Sequence, residues 1–361
     1  MEHKRRKHYS GTHPKSFEEK YKEHNPQKYA DTIEKVIAKG STPAGMHISI
    51  MVSEVLEALK IQPGEVGLDA TLGYGGHSRK MLEQLKGEGH LYSLDVDPIE
   101  IEKTRLRLNE AGFGDSIFTA ISENFANIDV IAREHGPFDF VMADLGVSSM
   151  QIDNPERGFS YKLDGPLDLR MNPQKGIPAY QRMLELSREE LIGMLIENSD
   201  EPYAAEITAA YLERKKKKQP VTTTADLRDV IDYALGLSFE GRKLVSSRKQ
   251  LKNLSQEELK EIRKKTCQRV FQAIRIDVNS EFEVLDAFLS KLPAVIKPGG
   301  RVAILTFHSG EDRLVKQAFR EYVRSGVFAQ ASQDVIRPSA LECNENPRAR
   351  STKLRWAVRN I

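Results

Sequence analysis

Residues 138–161, FDFVMADLGVSSMQIDNPERGFSY, constrain the fold more than any other stretch of the chain. The segment opens as a nearly continuous apolar run and changes at Asp144 to Gly, paired Ser, Gln, Asp, Asn and Arg. A strand without polar alternation has both faces covered, the condition of a parallel strand inside an α/β sheet. In such sheets ligands lie beyond the carboxyl ends of the strands, so Asp144 to Gln151 fall on the rim where chemistry is found. An ordinary polar loop after a core strand has the same appearance. The neighbouring segments must decide between the two.

Two earlier segments repeat the pattern. Residues 66–78, VGLDATLGYGGHS, run from a short apolar strand through Asp69 into a turn with glycines at 73, 75 and 76, then into a helix that turns Met81, Leu82 and Leu85 inward. Glycine permits positive φ and close approach of a ligand to the backbone. NAD, FAD and S-adenosylmethionine proteins all use such a turn, so it does not choose among them. The next strand, 90–94, ends in DVDP. Asp95 follows the turn by about 20 residues, a spacing that places an acid on the two ribose hydroxyls of an adenosine. A third strand, 117–121, leads to Asn124 and Phe125, an aromatic that either covers an adenine ring or packs as a core residue at a helix start.

The chain of 361 residues is long enough for one large domain or two modest ones. No apolar run reaches the length of a membrane span, and the amino terminus is basic rather than signal-like, which points to the cytoplasm and to no membrane partner. Two distant cysteines, Cys267 and Cys343, form neither a disulfide framework nor a metal-ligand spacing, so no metal is expected. The net charge of +2 hides three basic stretches: residues 1–40 hold ten Lys or Arg against six Asp or Glu, 214–218 are all basic, and a third run lies between Arg242 and Lys265. Such runs are usually solvated faces, yet three together fit a protein that follows a phosphate backbone.

Residues 1–45 read as a basic arm with too little apolar surface to fold alone, apart from a short helix at 32–39. Strand and helix then alternate up to 164. From 165 to 268 the segments 184–196, 204–212, 227–235 and 254–262 all have helical periodicity, and no convincing strand appears, so an all-helical insertion is expected, with Thr224 as a helix cap. Alternation resumes with a helix at 278–292, a strand ending in His308, a helix at 311–322 and a final strand at 353–358. His308 reads either as a general base on the rim or as a cap of the following helix packed on Arg313.

Taken together, these motifs resemble the bacterial small-subunit ribosomal RNA methyltransferase H family, also called MraW. The matching segments are DATLGYGGHS, DVDP, DLGVSSMQID with ERGFSY, PLDLRM, FQAIRIDVN, PGGRVAILTFHSGEDR and NPRARSTKLR, in the family's order from about residue 46 to the end. The resemblance implies a Rossmann-like class I S-adenosylmethionine-dependent methyltransferase sheet, an α/β fold, formed by 46–164 and 269–361 around the inserted domain. It implies that Gly75, Gly76 and His77 contact S-adenosylmethionine, that Asp95 takes its ribose, that Phe125 lies near the adenine, and that Asp144 and Gln151 complete the pocket. The implied reaction is methylation of N4 of a decoding-centre cytosine, with 16S rRNA or the small ribosomal subunit as partner and a homodimer left open. Tyr74 stands where Gly is frequent, Gly310 where Leu is usual, and Asn198-Ser199-Asp200 replace a more usual aromatic-Gly-Glu.

The amine of cytosine is a poor nucleophile because its lone pair is delocalised into the ring. A site acting on it must align it with the sulfonium methyl and offer acceptors that favour a pyramidal nitrogen. Asp144 is the candidate acceptor, with a purely cofactor-binding role as its alternative. Arg157, Arg170, Arg275, Arg348, Arg350 and Lys353 are expected to contact RNA phosphates or bases. Three rival readings stand beside this one: an NAD-linked oxidoreductase, a non-catalytic ribosome assembly factor, and a methyltransferase of the same fold acting on another RNA or on DNA.

Overall fold

The computed structural model describes residues 49–361. The expected arm and its helix at 32–39 lie outside the described residues. A seven-stranded sheet in the order β3-β2-β1-β4-β7-β9-β8 is the frame of the molecule. In chain order its first half comprises α1 (Val52–Leu59), β1 (Val66–Asp69), α2 (Gly76–Leu85), β2 (His90–Asp95), α3 (Pro98–Glu110), β3 (Phe118–Ser122), α4 (Ile128–His135) and β4 (Phe138–Asp144). β1 pairs in parallel with β2 on one side and β4 on the other, and β4 pairs in parallel with β7 (Ile296–Thr306). β9 (Lys353–Arg359) and β8 (Phe328–Ala331) close the far edge antiparallel. The fold is the expected Rossmann-like one, a mostly parallel α/β sheet.

β4 is apolar apart from Asp139 and its terminal Asp144 because both its faces are covered. Phe138, Phe140, Val141, Met142 and Ala143 are all fully buried. One face packs against Met51, Val55, Leu59, Met81 and Leu82 of α1, its preceding turn and α2. The other packs against α4, α11 (Glu281–Val295) and α12 (Ser309–Arg324) through Ile128, Leu285, Phe288, Leu292 and Val315. Strand order reverses between β1 and β4, so the crevice at their carboxyl ends is the natural ligand site of this sheet.

Between β4 and β7 the chain forms α5 (Ser149–Asp153), α6 (Ala179–Glu185), α7 (Arg188–Ser199), α8 (Ala204–Lys216), α9 (Thr224–Ala234) and α10 (Gln256–Asn279). A separate apolar core from Phe159 to Ile274 holds these helices together. Several expectations need correction here. The segment expected to be all-helical carries an antiparallel hairpin, β5 (Leu237–Glu240) and β6 (Lys243–Ser246), whose four-residue strands are too short to register as periodic runs. Thr223 rather than Thr224 caps α9, its hydroxyl accepting from the Asp226 N–H in a reciprocal capping box. The boundary drawn at 268 falls inside α10, a single helix of 24 residues. What reads as a helix from 278 is the tail of α10, a break at Ser280 with φ of 50°, and then α11. β8 was missed, since FAQA has only two exposed polar or small positions after its one buried Phe.

Gly67 in β1 is required by close packing: a Cβ there would lie 2.0 Å from the Phe140 ring across the β1–β4 pair. Gly67→Ala should therefore lower stability by about 1–3 kcal/mol, measured as a shift of the urea midpoint. Phe140→Leu made on that background should recover part of the loss. Additive losses would show that the ring is not what excludes the methyl group.

Candidate active site

Three aspartates mark the carboxyl ends of β1, β2 and β4. Asp69 is buried and accepts from the Ser78 hydroxyl (2.6 Å) and the Thr71 N–H (3.0 Å). Burial raises its pKa despite those bonds. Asp95 accepts from the Gly73 N–H and the Asp97 N–H, both at 2.8 Å, and burial pushes its carboxyl up to about 6. Asp95 thus ties the glycine-rich turn to the end of β2, with further lone pairs left on both oxygens.

The turn itself is braced from α3. Thr104 donates its hydroxyl to Gly73 O (2.7 Å), and a Cβ on Gly75, where φ is 81°, would lie 2.7 Å from the Thr104 methyl. Tyr74 has a physical reason to stand in place of a glycine: the Arg107 guanidinium lies 3.5 Å over its ring and donates to its carbonyl (2.7 Å). A Cβ on Gly76 would meet the Ser49 hydroxyl oxygen at 1.9 Å.

Asp144 ends β4 with its N–H on Thr71 Oγ1 (2.6 Å). Its Oδ1 is buried without a hydrogen-bond partner, and Oδ2 lies 3.7 Å from His77 Nδ1. His77 Nε2 is 3.0 Å from Ile50 O. A carbonyl only accepts, so Nε2 carries the proton and Nδ1 faces the carboxylate. Burial pushes Asp144 up to about 6; His77 opposes the rise, while Asp69 and Glu311 add to it.

Gln151 and Arg157 meet at Asp97. Gln151 completes a capping box with Ser148 and donates from Nε2 to Asp97 Oδ2 (3.0 Å). Arg157 donates to the same oxygen (2.6 Å) and to the carbonyls of Arg170 and Met171. Asp97, fully buried, also caps α3 by accepting from the N–H groups of Ile99 and Glu100. Sequence reading missed Asp97 as the hub joining β2, α3 and the 144–158 segment. The doubled acid of DVDP was the signal that could have found it.

Phe125 packs edge-on against Phe288 at 5.2 Å, in the core beneath the sheet, and is half-buried. His308 caps α12, its ring accepting from the Glu311 N–H, and its Nε2 lies 3.1 Å from Glu311 Oε1; its ring neighbour is Phe282. Gly310 is explained by that same Phe282, whose ring a Cβ at 310 would meet at 2.5 Å. Arg275 forks onto both oxygens of Glu281 at 2.7 and 2.9 Å. Burial acts to raise the Glu311 pKa, but His308 and Arg275 outweigh it and hold the carboxyl below its ordinary value. Glu281, His308 and Glu311 offer three possible metal-ligand atoms within 4.8 Å of one another. Arg275 answers the charge of this cluster from within the protein.

Three of the four remaining cations expected at RNA are also engaged. Arg170 is bidentate on Asp168 at 2.8 and 2.7 Å, Arg348 pairs with Asp153 (2.8 Å), and Lys353 pairs with Asp312 (3.1 Å). Arg350 is exposed. Asn198 joins α7 to α10 by donating to Ala273 O (3.1 Å), which accounts for an amide at that departure from the family pattern.

The model of the MraW methylase family matches residues 44–360. A protein of Lachnoclostridium phytofermentans named ribosomal RNA small subunit methyltransferase H 1 is 62% identical over 99% of this chain and 93% of its own length. Its namesake in Agathobacter rectalis is 60% identical over 99% of this chain and 98% of its own. Among solved structures, TrmN from Thermus thermophilus aligns with a TM-score of 0.39 and 12% identity, over 86% of this chain and 48% of that one. Among the described residues no helix is long and apolar enough to cross a membrane.

Asp97 and Arg157 make the site's costliest ion pair to break. Removing the guanidinium by Arg157→Ala leaves a fully buried carboxylate with its charge unanswered, a loss of about 3–5 kcal/mol. Arg170→Ala, which releases a partly exposed pair, should cost about 1 kcal/mol or less. Urea unfolding of the two variants side by side checks the ranking, and equal losses would deny Asp97 its role as hub.

Proposed function

The chain belongs to the MraW methylase family, and from that premise we propose that it methylates N4 of a decoding-centre cytosine in small-subunit ribosomal RNA, in the cytoplasm, using S-adenosylmethionine. The observation that carries this reading is Asp144 Oδ1, a buried carboxylate oxygen with no hydrogen-bond partner at the end of β4, beside the glycine-rich turn. Both relatives are named for action on small-subunit ribosomal RNA.

The residues fit the cofactor. Asp95 offers carboxylate lone pairs for ribose hydroxyls, Gly73 leaves open space where a Cβ would lie, with Thr71 O nearest at 3.9 Å, and the carboxylates at the strand ends favour a cation. When bound, S-adenosylmethionine supplies an electrophilic methyl group on a sulfonium. Asp144 accepts a hydrogen bond from the target amine and orients its nitrogen, since a buried acceptor aimed at a developing positive charge acts strongly where water is excluded. As the nitrogen gains a methyl group it must shed a proton, and a carboxylate with a pKa of about 6 is suited to receive it. His77 packs beside Asp144 on its other side, Nδ1 3.7 Å from Oδ2. His308 is spent as a helix cap, so Asp144 is the better acceptor. Gln151 and Arg157 act through Asp97 by fixing the 144–158 segment against β2.

Incubation of the protein and S-adenosylmethionine with small subunits, or their RNA, from cells lacking it should yield N4-methylcytidine at a single decoding-centre position in mass-spectrometric mapping. A methyl group on another base would overturn the assignment. Asp144→Asn should lower methyl transfer by about a hundredfold to a thousandfold while cofactor affinity, measured separately, changes little. Unchanged turnover would reduce Asp144 to a cofactor-binding role.

A further inference from the structure

The fold joins two basic runs that are about 25 residues apart in the sequence. Lys216 at the end of α8 and Lys218 just beyond it are exposed. One face of α8 holds Glu206 and Glu213, which are seven residues and so about 10 Å apart. Glu206 binds Arg248 just beyond the β5–β6 hairpin (2.9 Å), and Glu213 accepts from the Tyr233 hydroxyl (3.1 Å) four residues before that hairpin begins. The Gly236 N–H bonds back to Tyr233 O (3.0 Å), which fixes the ring at the hairpin's base.

The hairpin and the loop after it, residues 237–253, hold five Lys or Arg against one Glu. Leu244 and Ser246 are buried on its inner face and anchor it to the helices, while Arg242 and Lys243 at its tip are exposed. Gln256 pairs with the backbone of Leu244 through both ends of its amide, so the hairpin is held against the start of α10. The nearby acids are largely occupied: Glu206 with Arg248, Glu213 with Lys217 and Tyr233, and Glu258 with its own helix cap.

Two aromatic rings stand out of this surface, Tyr233 at 64% and Phe239 at 65% exposure. Phe239 shares the inner face of the hairpin with Leu244, its cross-strand partner, yet projects past the core. A lone exposed ring is ordinary. Cations and open aromatic faces together on a rigid hairpin are what unpaired RNA requires, because bases stack on rings while ammonium and guanidinium groups follow the phosphates.

We infer that α8's basic end, Tyr233 and the β5–β6 hairpin form a second RNA-binding surface, which grips an unpaired segment of the substrate RNA away from the methylated base. The inference rests on the proposed function in taking ribosomal RNA as substrate. The hairpin surface supplies affinity, and the strand-end aspartates supply chemistry.

Two variants of the full chain test it, Tyr233→Ala with Phe239→Ala, and Lys218→Gln with Arg242→Gln and Lys243→Gln. Each is assayed against small-subunit ribosomal RNA across a salt series and against heparin, with melting temperature and S-adenosylmethionine affinity as checks that the fold and cofactor site persist. The aromatic variant should bind RNA at least about tenfold more weakly while heparin binding holds. In the charge variant the plot of log affinity against log salt should become shallower by about 2. Both should raise KM for RNA and leave kcat at saturating RNA unchanged. Wild-type affinity and slope in both variants, or equal loss of RNA and heparin by the aromatic variant, would overturn the inference. If the wild type binds RNA this way but methylates a different base, the proposed target fails and the surface stands.

Discussion

Burial of carboxyl groups at the ends of three parallel strands is the constraint on which the rest of the site depends. Asp69, Asp95 and Asp144 all have raised pKa values, and in each case loss of water is the largest cause. A carboxyl held above its ordinary pKa favours the fold only while protonated, so its contribution is complete below about pH 4 and is lost as pH rises through the folded value. At neutral pH these aspartates oppose folding. The sheet sustains them through the doubly covered β4 and the capping network around Asp97, which offset the cost elsewhere.

Much of this was legible in the sequence because it depends on local signals. Short runs rich in apolar residues and ending in Asp located β1, β2 and β4, and the glycine positions located the turn that Asp95 holds. What escaped depends on contacts between distant segments. The doubled acid of DVDP marks Asp97 but does not say that Gln151 and Arg157 converge on it from 54 and 60 residues away. The β5–β6 hairpin escaped because a strand of four residues supplies only two positions per face. The helix break at Ser280 escaped because a left-handed serine leaves no composition signal.

The arginines show why residue type alone does not locate a nucleic-acid surface. Arg157, Arg170 and Arg275 sit in the motifs that carry the family resemblance, and each is bound to a carboxylate of its own chain. Their guanidiniums set the geometry of the 144–171 segment and of the junction between α10 and α11. Exposed cations include Arg350 and those on the hairpin and at the end of α8, the latter in stretches that read as solvated faces. Cations paired within the chain thus shape these segments, while the inferred hairpin surface draws on others unpaired among the described residues.

Titration of the Asp144 carboxyl carbon by NMR, in the otherwise native protein, tests this electrostatic picture most directly. A midpoint of about pH 6 is expected, moving downward in Glu311→Gln, which removes a like charge that raises it. A midpoint at the ordinary aspartate value of roughly 4, insensitive to Glu311, would contradict it: Asp144 would then be a hydrated rim residue, not a buried acceptor poised for an amine.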